Sequence, residues 1–167
     1  MTFRPRSSRR TVGVVAASLT ALLASCSAGE RLDAVARASD QTAFPAGFRQ
    51  WHKLNRETIV HETEREARDL YFNEIAMNST GPEYPPGSVL VKEEFGLRPD
   101  VGGQLRVGDP SRVSVMFKVG RGNTSGWAFK AFDPETLREL PRDRVDPDGC
   151  YFCHADRRDH DYVFTGK

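Results

Sequence analysis

From Leu70 onward, turn-forming residues recur at intervals that leave little choice of fold. Pro85-Pro86-Gly87 precedes Ser88-Val89-Leu90-Val91-Lys92-Glu93, a run rich in β-branched residues, and Gly108-Asp109-Pro110 precedes the alternating Val113-Ser114-Val115-Met116-Phe117-Lys118-Val119. The polar residues 120–125 then lead into Gly126-Trp127-Ala128-Phe129-Lys130-Ala131-Phe132, which Asp133-Pro134 ends. Together with Leu70-Tyr71-Phe72 these make four strand-like runs. Parallel strands need a crossover of a dozen or more residues, usually a helix, and the short connections here provide no room for one. The expected fold is therefore α+β: a single domain dominated by an antiparallel β-sheet, with short helices. Residues 48–54 read as a short helical turn with Phe48 and Trp51 on one side. Residues 62–68 have helix-forming composition and a Glu64/Arg68 pair at i, i+4, with a switch to strand near Arg68.

The first 25 residues read as an address. Arg4, Arg6, Arg9 and Arg10 form a positive region, and residues 12–23 are an apolar run too short for a membrane span. Leu23-Ala24-Ser25-Cys26 resembles the bacterial lipobox, in which the cysteine is acylated and becomes the new N-terminus. Cys26 is thus the expected lipidation site, and the protein is expected in the bacterial periplasm or cell envelope, anchored to a membrane by lipid. Residues 26–43 lack a hydrophobic period and read as a flexible tether, leaving residues 44–167 as the domain. Over the whole chain 24 basic residues oppose 23 acidic ones, so no basic footprint for nucleic acid exists. The aromatic content of 10% supplies the bulk for a core.

Cys150-Tyr151-Phe152-Cys153-His154 carries the chemistry. Two thiols three positions apart on a helical turn reach the two vinyl groups of one porphyrin edge, and the next side chain falls beneath the iron. The spacing is that of c-type haem attachment, with Cys150 and Cys153 as the covalent anchors and His154 as the metal ligand, on a C-terminal helix. A disulfide or redox pair would favour a βαβ context, and a zinc site would need a fourth ligand that His52, His61 and His160 do not supply at a close spacing. Export agrees with haem, because this attachment takes place outside the inner membrane. For the sixth iron position Met116 is available, although a methionine alternating with Val115 and Phe117 is more commonly core. His160 is too near His154 in sequence to reach the opposite face, so the distal site is expected to be open or to hold water.

The chain resembles the cytochrome P-460 family, small exported mono-haem proteins with the attachment motif near the C-terminus. The resemblance covers residues 44–165. It is carried by Phe48-Arg49-Gln50-Trp51, Arg68-Asp69-Leu70-Tyr71-Phe72-Asn73, the block from Tyr84 to Glu93, Met116-Phe117-Lys118, Gly126-Trp127-Ala128-Phe129, the haem motif, and Asp161-Tyr162-Val163-Phe164-Thr165. It implies a mostly antiparallel β fold, usually dimeric, whose members either oxidise hydroxylamine, with a lysine bonded to a porphyrin meso carbon, or bind nitric oxide without that bond, as in cytochrome c′-β-like proteins. Lys92 matches the lysine and Arg68 matches an arginine that hydrogen-bonds ligands over the iron, a role its fixed fork of donors suits. Phe72, on the same face of the strand as Arg68, would project toward the distal haem. The hydroxylamine oxidisers carry a distal carboxylate where Ser114 stands here. A hydroxyl is a poor base, so either a neighbouring glutamate substitutes or the reaction is inefficient.

The expectation is accordingly a mono-haem protein acting on small nitrogen oxides, oxidising hydroxylamine or nitric oxide at an open iron and passing electrons to a soluble cytochrome. The alternatives are a non-catalytic nitric-oxide-binding protein and a simple electron carrier ligated by Met116.

Overall fold

The computed structural model describes residues 42–120 and 125–165. The export segment, Cys26 and nearly all of the tether lie outside the described residues. Within them a six-stranded, wholly antiparallel sheet carries two short α-helices, one of them C-terminal, so the α+β expectation holds. The strands are β1 (His52–Lys53), β2 (Ile59–His61), β3 (Glu66–Phe72), β4 (Val89–Pro99), β5 (Leu105–Lys118) and β6 (Trp127–Phe132). The helices are α1 (Glu74–Met77) and α2 (Pro147–Ala155). The sheet order is β1-β3-β4-β5-β6, with β2 beside β1 on the same edge of β3. No helix among the described residues is long and apolar enough to cross a membrane.

Three local expectations change. Residues 62–68 are not helical: β2 and β3 form a hairpin that pairs Ile59 with Arg68 and His61 with Glu66, and Arg65 closes the turn in a left-handed conformation (φ 53°). Seven residues of good helix composition barely repay helix nucleation, whereas the strand gains a full ladder to β4. The Glu64/Arg68 helix pair consequently has no basis. Gly108-Asp109-Pro110 does not begin a strand but lies inside one. Phe95 pairs with Pro110 and Leu97 with Val107, and register shifts on either side of Phe95 bend the ladder around a proline that cannot donate to it. The reversal falls earlier, where Asp100 accepts the backbone N–H groups of Gly102 and Gln104. Lastly, the helical turn at the start shrinks to a 3-10 turn, Phe48–Gln50, and after an extended Trp51 the chain enters β1.

Strand alternation divides the core in two. One face of the sheet buries Tyr71, Val91, Val113, Val115, Phe117 and Phe132 beneath Phe48, with Phe44 and Trp51 at the margin. The opposite face joins Phe72, Leu90 and Trp127 to Ala76, Tyr84 and Val163, with Met116 and Phe129 partly covered beside them. The C-terminal segment packs on this second face.

Candidate functional site

Helix α2 begins where Asp146 accepts the N–H of Asp148 at 3.0 Å and Pro147 occupies the first turn, a start that satisfies one orphan donor and needs one fewer. From there Cys150 and Cys153 lie three residues apart on one side of the helix, both as free thiols. Burial pushes the Cys150 thiol pKa up, against the pull of Arg112 and Lys92. His154, in the last turn, has its ring between Phe129 and Phe164, with centroids at 5.1 and 5.0 Å. Its Nδ1 lies 2.6 Å from the carbonyl oxygen of Tyr162. Burial holds the imidazole pKa below its usual value; the Tyr162 carbonyl opposes this, and the charge of Lys92 adds to it. The ring is therefore neutral at neutral pH. With the Nδ1 proton donated to a carbonyl, Nε2 carries the lone pair.

Lys92 thus acts electrostatically on both ends of the motif and Arg112 on Cys150, and the sheet register explains their position. Lys92 of β4 pairs with Ser114 of β5, and Glu94 pairs with Arg112; all four side chains belong to the face on which Phe129 meets His154. They converge on the Glu94 carboxylate, which is only 2% exposed. Lys92 Nζ is 2.8 Å from Oε1, Ser114 Oγ donates to the same oxygen at 2.7 Å, and Arg112 donates to Oε2 through Nε at 2.7 Å and through Nη2. A carboxylate with this little access to water is tolerable only when paired and hydrogen-bonded. Here burial would raise its pKa, but Arg112 and Lys92 outweigh burial and hold the group below its usual range. Glu66 approaches Lys92 from β3 at 3.9 Å, with a buried Oε1 lacking a hydrogen-bond partner among the described residues.

Arg68 takes a position on the same face, one strand over, paired across the ladder with Glu94. Its Nη2 is 2.5 Å from His61 Nε2, so His61 accepts on that nitrogen and replaces the helix partner expected for Arg68. Phe72, also on this face, is buried against Tyr84 in an edge-on contact at 5.9 Å. Met116 is flanked in register by Leu90 and Phe129 and belongs to the same apolar cluster. Where β4 and β5 bend, a cavity of about 370 Å³ opens, lined by Glu66, Glu94, Arg112 and Arg144 among others. It borders the ion cluster and does not extend to His154.

The sequence reading placed Lys92, Ser114, Arg68 and His154 on the site but did not name Glu94, Arg112 or Tyr162. Glu94 was within reach of pattern reasoning: it shares the parity of Lys92 on one strand, so it shares its face. Arg112 and Tyr162 needed the strand register and the return of the C-terminal segment.

The donor set fits a c-type haem. Two free thiols one helical turn apart are available for thioether bonds, and a neutral histidine oriented through Nδ1 by a carbonyl is what an axial ligand requires. The described residues hold no group of three or more His, Cys, Asp or Glu suited to a metal ion, so the zinc alternative has no counterpart among them. Comparison with curated protein sequences finds no match. A family model described as Cytochrome P460 matches residues 45–165, from the first core aromatics through the haem motif to the C-terminal segment, and the chain belongs to the cytochrome P460 family, c-type haem proteins that act on nitrogen compounds.

Proposed function

We propose that the protein is a lipid-anchored envelope cytochrome that oxidises hydroxylamine, with Cys150 and Cys153 bonded to one haem and His154 ligating its iron. The haem, when bound, would supply an iron able to take up the electrons released by the oxidation. The observation that carries the reading is Glu94, a buried carboxylate on the His154 face of the sheet, hydrogen-bonded to Ser114 at 2.7 Å. It supports the view that a neighbouring glutamate substitutes for the carboxylate that Ser114 lacks. Oxidation of an N–H bond releases a proton that some base must accept. Ser114 passes it or holds the substrate hydroxyl, and Glu94 receives it. Arg68 offers its guanidinium donors to the N–O group. As an ammonium, Lys92 weakens Glu94 as a base. If its nitrogen is instead bonded to a porphyrin meso carbon, Glu94 loses one cation and moves toward the proton-accepting range.

The remaining parts of the proposal rest on sequence. The lipobox ending in Cys26 supports export and a membrane anchor in the periplasm, and the family resemblance supports a homodimer and a soluble cytochrome as electron acceptor. A second reading, a non-catalytic nitric-oxide-binding protein, is favoured by the 2.8 Å ion pair of Lys92 with Glu94, since a paired ammonium is not a nucleophile.

The reduced visible spectrum of protein matured in a cytochrome-assembling host separates the readings. A broad, strongly red-shifted Soret band means the lysine bond and supports oxidation. An ordinary high-spin c-type spectrum means ligand binding alone, and a low-spin spectrum with a methionine-to-iron charge-transfer band means an electron carrier. Lys92→Ala is expected to abolish the red shift and leave haem attached; a red shift that survives the substitution overturns the role given to Lys92.

A further inference from the structure

Lys118, the last residue of β5, and Asp161, in the segment after α2, form an ion pair with Nζ to Oδ1 at 2.7 Å. Their side chains are 3% and 5% exposed, and neither residue has a part in the chemistry above. We infer that this pair is the positioning device for His154: it clamps the C-terminal segment so that the Tyr162 carbonyl meets Nδ1, and thereby sets the basicity of the axial ligand. The inference rests on the reading of His154 as that ligand.

Asp161 is held from three sides. Its Oδ1 takes Lys118, its Oδ2 accepts the backbone N–H of Tyr84 at 2.7 Å, and its carbonyl accepts Trp127 Nε1 at 2.8 Å. Lys118 in turn donates to the Ser125 carbonyl at 2.7 Å and lies 5.0 Å from the Trp127 ring centroid. The next residue along the chain is Tyr162, whose carbonyl oxygen is 2.6 Å from His154 Nδ1.

Backbone conformation shows what the clamp works against. Asp161 and Tyr162 have φ of 51° and 65°, two successive side-chain-bearing residues in the left-handed region. Glycine, or a lone asparagine or aspartate, is the usual occupant there; a tyrosine directly after such an aspartate is not, and it persists only where its surroundings over-determine it. A turn that merely changed direction would not need a buried carboxylate at this point. A well-packed apolar pair could fill the same volume at no loss of stability, so the charges are better explained by what they orient than by what they stabilise. The partner on a ligating histidine's second nitrogen fixes the ring orientation and tunes ligand strength, and such partners matter to a metal site nearly as much as the ligands do.

The experiment uses the full chain with haem attached. In Lys118→Met/Asp161→Asn both charges go together, so no buried charge is stranded, and Asp161→Glu keeps the charge while displacing the backbone it anchors. Both are expected to weaken the Nδ1 hydrogen bond. The ferrous form is then favoured severalfold at a fixed ambient potential, and the iron–histidine stretching band in resonance Raman spectra moves to lower frequency. Lys130→Met/Glu139→Gln, which removes the surface pair at 2.7 Å, is expected to change neither. If both Asp161 variants carry haem with the parent potential and stretching band, the pair is structural only and the inference is overturned. A parent protein that carries haem without an iron–histidine band instead overturns the assignment of His154 on which the inference stands.

Discussion

Two faces of one sheet, built from alternate residues of the same strands, have opposite characters in this protein. On one, Val113, Val115 and Val91 are closed off by Phe48, and the aromatic pairs Phe48–Tyr71 and Phe44–Phe132 meet edge-on at 5.3 Å. On the other, the apolar side chains hold only the end nearest His154, and the ladder then passes through Lys92, Ser114, Glu94, Arg112 and Arg68. The first face excludes water by packing, and the two carboxylates it buries, Glu93 and Asp69, are paired with Arg49 and with Lys53. The second gathers two cations, Lys92 33% and Arg112 38% exposed, and the Ser114 hydroxyl on one buried anion, Glu94. The difference shows how a small domain separates its stability from its chemistry without a second domain: the pleat alone directs one set of side chains to the core and the other to the site.

The largest effect that would sharpen this contrast lies in the haem anchors. Cys150→Ser/Cys153→Ser is expected to remove all covalently bound haem, read as loss of haem staining on a denaturing gel, with the sheet retained by circular dichroism. On the packed face, Phe48→Ala is expected to cost about 3–5 kcal/mol in denaturant unfolding, the usual range for deleting a buried phenylalanine. Glu94→Gln on the other face is expected to cost less, about 1–3 kcal/mol, because charge-assisted hydrogen bonds are lost but both cations can turn toward water. It also carries a pH signature. The Glu94 carboxyl titrates below its ordinary 4.5 in the folded protein, so the unfolded chain takes up its proton first as pH falls. The stabilisation is complete above 4.5 and is lost as pH falls through the folded-state value; the glutamine variant is expected to lack this part of the acid slope. The smallest effect belongs to Lys130→Met, a surface pair worth under about 1 kcal/mol by the same measurement. A Glu94 variant with the cost of a core deletion and an unchanged acid slope would break the distinction between the two faces.

Much of this was open to a reader of the sequence. The first half of β4, the second half of β5, and β6 follow from alternation and turn residues, because side-chain period and strand period coincide over those runs. The haem motif is local, so its spacing carried it. The hairpin at residues 62–68 was not open to that reading. Its composition favours a helix, and the choice of strand is made by the ladder to β4, whose partners lie more than twenty residues away. Similarly, Pro110 looks like a strand boundary until the register shifts on either side of Phe95 accommodate it.

The sequence by itself determined the attachment chemistry and the sheet class, and it carries the charged and apolar pattern on which the proposal of export rests. Those follow from short-range spacing: thiol to thiol, turn to turn, charge to apolar run. Only the tertiary structure decided that Glu94 would stand between Lys92, Ser114 and Arg112, that Arg68 would exchange Glu64 for His61, and that a carbonyl beyond α2 would return to His154 under the hold of Lys118 and Asp161. Each of those depends on a register or a chain reversal. A register is set by the summed burial of whole strands and not by the residues that meet there, so no local pattern announces it.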